Sequence, residues 1–323
     1  MPTIFITRKI PAESLNMLEG RYRLKVNPAE RPVTRQEMLE GVKEADALLC
    51  MLTDKVNREV IEKASNLKVV ANMAVGVDNI DLEACTARGI VVTNTPGALT
   101  EATADLTWAL LLAVTRRIVA GDRFVRAGNF NGWAPLLFVG GDLSGKTLGI
   151  IGMGRIGQAV ARRGLGFGMK IVYAKRERLP LEVEKEFKAT YLPLDEVIRE
   201  ADYLTLHLPY YPEVHHLINR KRLEMMKPTA YLINTARGAL IDEQALVEHL
   251  KRHKIAGAAL DVYENEPKLT PGLIELDNAV LAPHTGSATS STRRAMAEMA
   301  AKSIVAVLSG VKPEHVVNPE VYD

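Results

Sequence analysis

Three side chains in the second half of the chain have the types and positions to act together on one small molecule. Arg237 follows an apolar run in "NTARG", Glu266 lies with Asp261 in "LDVYENEP", and His284 ends "AVLAPH". Each sits just past a strand-like stretch, so each projects from a strand's carboxyl end, the edge where ligands bind in open α/β sheets. Reducing a carbonyl with hydride leaves an alkoxide that needs a proton, and an imidazole titrating near neutrality is suited to give it. A carboxylate at Glu266 would orient that ring and favour its protonated form. A guanidinium at Arg237 would anchor a substrate carboxylate and polarise the neighbouring carbonyl. The bland alternative is a structural ion pair beside a satisfied loop histidine, and the shared location of all three weighs against it.

The chain has seven histidines, and context separates them. His249 and His253, in "VEHLKRHK", read as surface residues of a polar helix end. His215 and His216 flank a turn after Pro212, and His315 lies in the tail. His207 closes "YLTLHLP" and is placed to line a cofactor site, with no acidic partner nearby in sequence.

A reductase of this kind needs a hydride donor, and "LGIIGMGRIGQAVA" supplies its cradle. Gly152, Gly154 and Gly157 follow an apolar strand and open a helix in G-x-G-x-x-G spacing. Gly152 permits the tight turn, Gly154 lets a pyrophosphate approach the backbone, and Gly157 lets helix and strand pack closely. The next strand ends in "VYAKRER", where a carboxylate would bind the 2′-hydroxyl of NAD. Lys175, 18 positions after Gly157, stands there instead, followed by Arg176 and Arg178. Cations at that place favour the 2′-phosphate of NADP, so NADPH is the expected donor; Glu177 keeps NAD open. No metal site is expected.

These positions imply a two-part scaffold. At 323 residues the chain is long for one core. Apolar runs alternate with helical stretches from "TIFIT" to "IVVTNTP", which indicates a parallel sheet covered on both faces. A helical pattern then runs from Thr100 to about Ala127, and a second series of strands begins at "KTLGIIG". A final helix spans about Ser290 to Leu308. The expected fold is α/β, with two doubly wound parallel-sheet domains. A flavodoxin-like substrate domain takes 1–99 plus 288–323, a Rossmann cofactor domain takes 100–287, and a cleft lies between them.

Composition excludes other classes. A net charge of +2 and 5% aromatic residues give no footprint for nucleic acid. The most apolar helix, "LTWALLLAVTRRIV", is broken by Arg116 and Arg117 well short of a membrane span. Two cysteines, Cys50 and Cys85, lack paired spacing, which suits a reduced, cytoplasmic setting.

Several spaced motifs carry a resemblance over nearly the whole chain. "AVGVDNID", "TNTPGALTEATADL", "GMGRIGQAVA", "NTARGALIDEQAL", "AALDVYENEP" and "APHTGSAT" closely resemble the NAD(P)-dependent D-isomer-specific 2-hydroxyacid dehydrogenases. Within that family "FITRKIP", "LTDKV" and "FVRAGNFNGWAP" are most similar to glyoxylate/hydroxypyruvate reductases. The resemblance implies that Arg237 binds substrate, that His284 is the acid–base catalyst and that Glu266 is its partner. It implies substrate contacts from Val75 and Gly76, with Leu52 bordering the pocket. On the cofactor side it points to Thr103, Arg155, Ile156, Pro209, Ala236, Asp261 and Gly286, with Asp261 holding the nicotinamide carboxamide. It implies a homodimer formed through the long helix and "GNFNGWAPLLF", where Trp133 reaches towards the partner. Two alternatives stand beside it: a reductase of 2-ketogluconate or another 2-keto acid, and a nucleotide-sensing corepressor that does no chemistry.

Overall fold

The computed structural model describes residues 1–323. It divides into two compact units, Met1–Leu99 with Ser287–Asp323, and Thr100–Gly286. The return crossing falls at 286–287, one residue before the sequence boundary. Gly286 belongs with the second unit because its N–H is held by Asp261 and its carbonyl by Thr103.

The first unit is a parallel sheet of five strands: β1 (Thr3–Ile6), β2 (Arg23–Val26), β3 (Ala47–Cys50), β4 (Val69–Asn72) and β5 (Val91–Thr93). Their order across the sheet is β2-β1-β3-β4-β5. Every residue of β1, β3 and β4 is buried, so these strands read as unbroken apolar runs. β2 was not legible in the sequence. Its "RLKV" is a half-exposed edge whose two cations interrupt the apolar signal, and pairing with β1 is what makes it a strand. The helix Ser290–Leu308 is capped by the Thr289 side chain and stops near Gly310, whose φ of 76° favours glycine. Its Met296, Ala297, Ala300, Ala301 and Ile304 close the core over β1, β3 and β4.

The second unit is a seven-stranded sheet, again parallel throughout. It comprises β6 (Thr147–Ile151), β7 (Lys170–Ala174), β8 (Ala189–Tyr191), β9 (Tyr203–Leu206), β10 (Tyr231–Asn234), β11 (Gly257–Leu260) and β12 (Ala279–Leu281). Their order is β12-β11-β10-β9-β6-β7-β8. The chain runs outward from β6 through β7 and β8, then returns to pair β9 on the other side of β6. That reversal makes the carboxyl ends of β6 and β9 a topological switch point.

The helix expected to reach Ala127 is two helices, Thr100–Thr115 and Ile118–Arg126. Between them Arg117 adopts a left-handed φ of 53°, which ends the first helix. The first buries Trp108, whose indole N–H donates to the Val160 carbonyl at 3.1 Å and whose ring stacks on Phe167. The second has no buried residue. Together with the segment after it, it exposes Ile118, Phe130, Trp133 (84% exposed), Leu136 and Val139. No helix is long and apolar enough to cross a membrane.

The helix Arg155–Gly166 lies close on this sheet through small residues. A Cβ at Gly164 would come 2.9 Å from Leu148 and 3.0 Å from Ile171. Gly164→Val is therefore expected to lower the unfolding free energy by about 1–3 kcal/mol through overpacking, read as a lower urea midpoint.

Candidate active site

The glycine turn lies at the switch point. After β6 the chain turns at Gly152 (φ 96°), where a Cβ would collide with the His207 carbonyl that follows β9. A Cβ at Gly157 would collide with the Gly152 carbonyl and press on Ile150 at 3.3 Å. Gly154, by contrast, has nothing within 4 Å of where its Cβ would be, so its backbone faces open space. It caps the helix Arg155–Gly166, whose free N–H groups and positive dipole end suit a phosphate. Two of the three glycines serve packing, and the third leaves room for a ligand.

That room is a pocket of about 710 Å³. Of the cofactor residues named from sequence, Gly152, Gly154, Lys175, Arg176, His207 and Pro209 line it, and so does Glu177. The His207 ring Nε2 is buried without a hydrogen-bond partner. Burial lowers its pKa to about 3, so the ring stays neutral and can still donate or accept a hydrogen bond. A turn, a helix end, an orphaned ring nitrogen and flanking cations fit a dinucleotide.

The cations divide in a way the sequence did not show. Arg176 lies over the Tyr211 ring at 5.3 Å. Arg178 is drawn away: its Nε and Nη2 each donate to Glu184 at 2.8 Å, and the Tyr173 hydroxyl donates to the same carboxylate at 2.6 Å. With those donors Glu184 falls to a pKa of about 2 and stays ionised. The apolar side of the pocket, Tyr191, Leu192, Leu194, Tyr211, Val214 and Leu217, was missed altogether. Its one sequence signal was the three-residue strand β8, too short to read.

Around the far edge of the sheet, β10, β11 and β12 lead into Arg237, Glu266 and His284. His284 Nδ1 lies 2.9 Å from Glu266 Oε2, and the Tyr263 N–H donates to Glu266 Oε1 at 2.9 Å. Burial alone would raise the Glu266 pKa. The hydrogen bond and charge of His284, the Tyr263 N–H and the charge of Arg237 outweigh it, so the group titrates below the ordinary carboxylate range. The Arg237 Nη1 donates to the Ala236 carbonyl at 2.9 Å, and Asn234 fixes the turn by donating to the Arg237 carbonyl. Next in sequence, Gly238 meets the backbone of Tyr263 and Glu264 so closely that a Cβ would overlap it. The turn bearing Arg237 thus packs directly on the segment bearing Glu266. Glu243, nearly fully buried, braces that segment by accepting from the Glu264 N–H at 2.7 Å and the Thr270 hydroxyl at 2.6 Å.

Asp261 ties the ends of β11 and β12 together. Its side chain is fully buried, and its oxygens accept from the Thr285 N–H at 2.7 Å and the Gly286 N–H at 2.8 Å. These bonds fix the loop that carries His284. Thr103 supports the same loop by donating to the Gly286 carbonyl at 3.1 Å. Arg155, Ile156, Gly157, Thr103, Ala236, Asp261 and Gly286 all lie outside the 710 Å³ pocket. His249 is also corrected: it is buried, with Nδ1 2.7 Å from the Ala245 carbonyl one turn back in its helix. His215 and His216 stack at 3.9 Å with planes 22° apart, and His216 hydrogen-bonds Glu264 at 2.7 Å. In the first unit Leu52 follows β3, and Val75 and Gly76 follow β4.

Residues 108–286 match the sequence model of the NAD-binding domain of the D-isomer specific 2-hydroxyacid dehydrogenases. A glyoxylate reductase of Thermococcus litoralis is 51% identical over 99% of this chain and 98% of its own. A solved structure of the TT0316 protein from Thermus thermophilus is 48% identical, covers 98% of this chain and 99% of that one, and superposes with a TM-score of 0.92. An NADPH-dependent glyoxylate/hydroxypyruvate reductase from Sinorhizobium meliloti, solved with NADP and malonate, is 32% identical, with a TM-score of 0.86 over 99% and 97%. The chain belongs to the D-isomer specific 2-hydroxyacid dehydrogenases, and it is an NAD(P)-dependent oxidoreductase.

The lowered pKa of Glu266 has a consequence for stability. A depressed carboxylate adds stability above its unfolded pKa and loses it as pH falls through the folded value. The difference in unfolding free energy between the native protein and Glu266→Gln should shrink as pH falls below about 5, followed by denaturant unfolding at a series of pH values.

Proposed function

We propose that the protein reduces glyoxylate to glycolate and hydroxypyruvate to D-glycerate, with NADPH as preferred donor. The observation that carries this reading is the convergence of His284, Glu266 and Arg237 at the ends of three neighbouring strands. When bound, the reduced nicotinamide supplies the hydride. The protein's own groups do the rest. Arg237 attracts the substrate carboxylate and polarises the adjacent carbonyl, and its donors match a carboxylate's two oxygens. His284 gives its proton to the carbonyl oxygen as charge develops there. Glu266 stays ionised through the cycle, turning the ring by its Nδ1 side and leaving the other nitrogen to face substrate. The backbone around Val75 and Gly76 adds donors for the carboxylate, and Leu52 limits the size of the group beyond it.

For the cofactor, the Gly152–Gly157 turn and the Arg155–Ile156 helix start hold the pyrophosphate. Thr103, His207, Pro209, Ala236 and Gly286 border the nicotinamide end. Lys175 and Arg176 take the 2′-phosphate, in keeping with the relative solved with NADP. Glu177 in the same pocket favours a second reading in which NADH is also used. The exposed Ile118, Phe130, Trp133, Leu136 and Val139 support a homodimer formed through this region. Both cysteines are free and buried, in keeping with a reducing cytoplasm.

Two measurements test this reading. His284→Ala should lower kcat for glyoxylate by about 10²–10⁴-fold with the KM for NADPH little changed, followed by loss of NADPH absorbance. Normal turnover would remove His284 from the chemistry. Lys175→Asp should raise the KM for NADPH by about tenfold or more and leave that for NADH nearly unaltered. An unchanged ratio would assign cofactor choice elsewhere.

A further inference from the structure

We infer that Asn72 and Asn79 form an amide relay that shapes the loops after β3 and β4 into a receptor for the carboxylate of a 2-keto acid. The inference rests on the proposal that Leu52, Val75 and Gly76 meet substrate, and it assigns the residues that hold them. β3 and β4 are adjacent parallel strands in the register Cys50↔Asn72, so their following loops leave the sheet side by side.

Asn72 ends β4 and is fully buried. Its Nδ2 donates both to the Gly76 carbonyl at 2.9 Å and to Asn79 Oδ1 at 3.0 Å. Asn79 passes the connection to the other loop: its Nδ2 donates to the Met51 carbonyl at 3.1 Å and to the Asp54 carbonyl at 3.0 Å, on either side of Leu52. Asp54, itself buried, closes the turn by accepting from the Met51 N–H at 2.8 Å and the Thr7 hydroxyl at 2.5 Å. A separate amide, Asn94, donates to the Val75 carbonyl at 2.7 Å.

The consequence follows from the planarity of the peptide. In a trans peptide the carbonyl and the next residue's N–H point in opposite directions. Holding the Val75 carbonyl on Asn94 turns the Gly76 N–H away from Asn94. Holding the Gly76 carbonyl on buried Asn72 turns the Val77 N–H away from the core. Two successive N–H groups displayed this way suit an anion such as a carboxylate. An amide is needed in the middle because Asn79 must accept from one loop and donate to the other at once, which neither an acid nor an aliphatic residue can do. Asn72, Asn79 and Asn94 are thus positioning residues that act through the loop backbone.

The test is steady-state kinetics on the full-length enzyme. Asn79→Ala should raise the KM for glyoxylate by about tenfold, while the KM for NADPH stays within about twofold and kcat within about threefold. The inhibition constant of malonate, an unreactive carboxylate, should rise in parallel. A merely structural role would lower the melting temperature without that split. Should Asn79→Ala fail to fold, Asn94→Ala, which frees only the Val75 carbonyl, should raise the same KM several-fold. Val75→Trp separates the two levels of the claim. If Val75→Trp raises the KM for glyoxylate and the asparagine variants do not, the relay is overturned. If none of them changes it, the proposed substrate loop fails and the relay with it.

Discussion

The second unit depends on one buried carboxylate. Asp261 is removed from water, which costs several kcal/mol unless its oxygens are matched, and the N–H groups of Thr285 and Gly286 match them. That exchange draws the end of β12 onto the end of β11 and sets His284 in a left-handed conformation with φ 55°, which a residue other than glycine adopts only when its surroundings require it. Once the loop is set, the Glu266 carboxylate reaches the His284 ring without search. The polar groups that fix the site are those a core could not otherwise tolerate.

Electrostatics then separates three carboxylates in one neighbourhood. Glu243 is raised mainly by burial, Asp261 likewise, and Glu266 is lowered because His284, the Tyr263 N–H and Arg237 outweigh its burial. Of the three, only Glu266 pairs with an imidazole. The same logic works at the cofactor end, where Glu184 claims Arg178 and leaves Lys175 and Arg176 to the pocket.

Much of this was legible in the sequence because the signals are local. Buried parallel strands write themselves as apolar runs, a strand–turn–helix with three glycines writes itself as a spacing, and residues just past a strand must lie at its end. The losses have physical causes too. β2 and β8 are short edge strands without an apolar run, and the helix break at Arg117 lies in a residue with no propensity to announce it. Arg178 looked like a ligand because its partner Glu184 sits in the next helix, and the loop bonds of Asp261 were hidden because its partners lie 24 and 25 residues away. The asparagine relay escaped for the same reason: Asn79 meets Met51 and Asp54 only after β3 and β4 pair.

The most direct measurement is the configuration of the product. Incubated with NADPH and hydroxypyruvate, the protein should consume the two in equal amounts and release D-glycerate alone, resolved by chiral chromatography. Release of L-glycerate, or of no glycerate while the protein binds NADPH, would contradict the account.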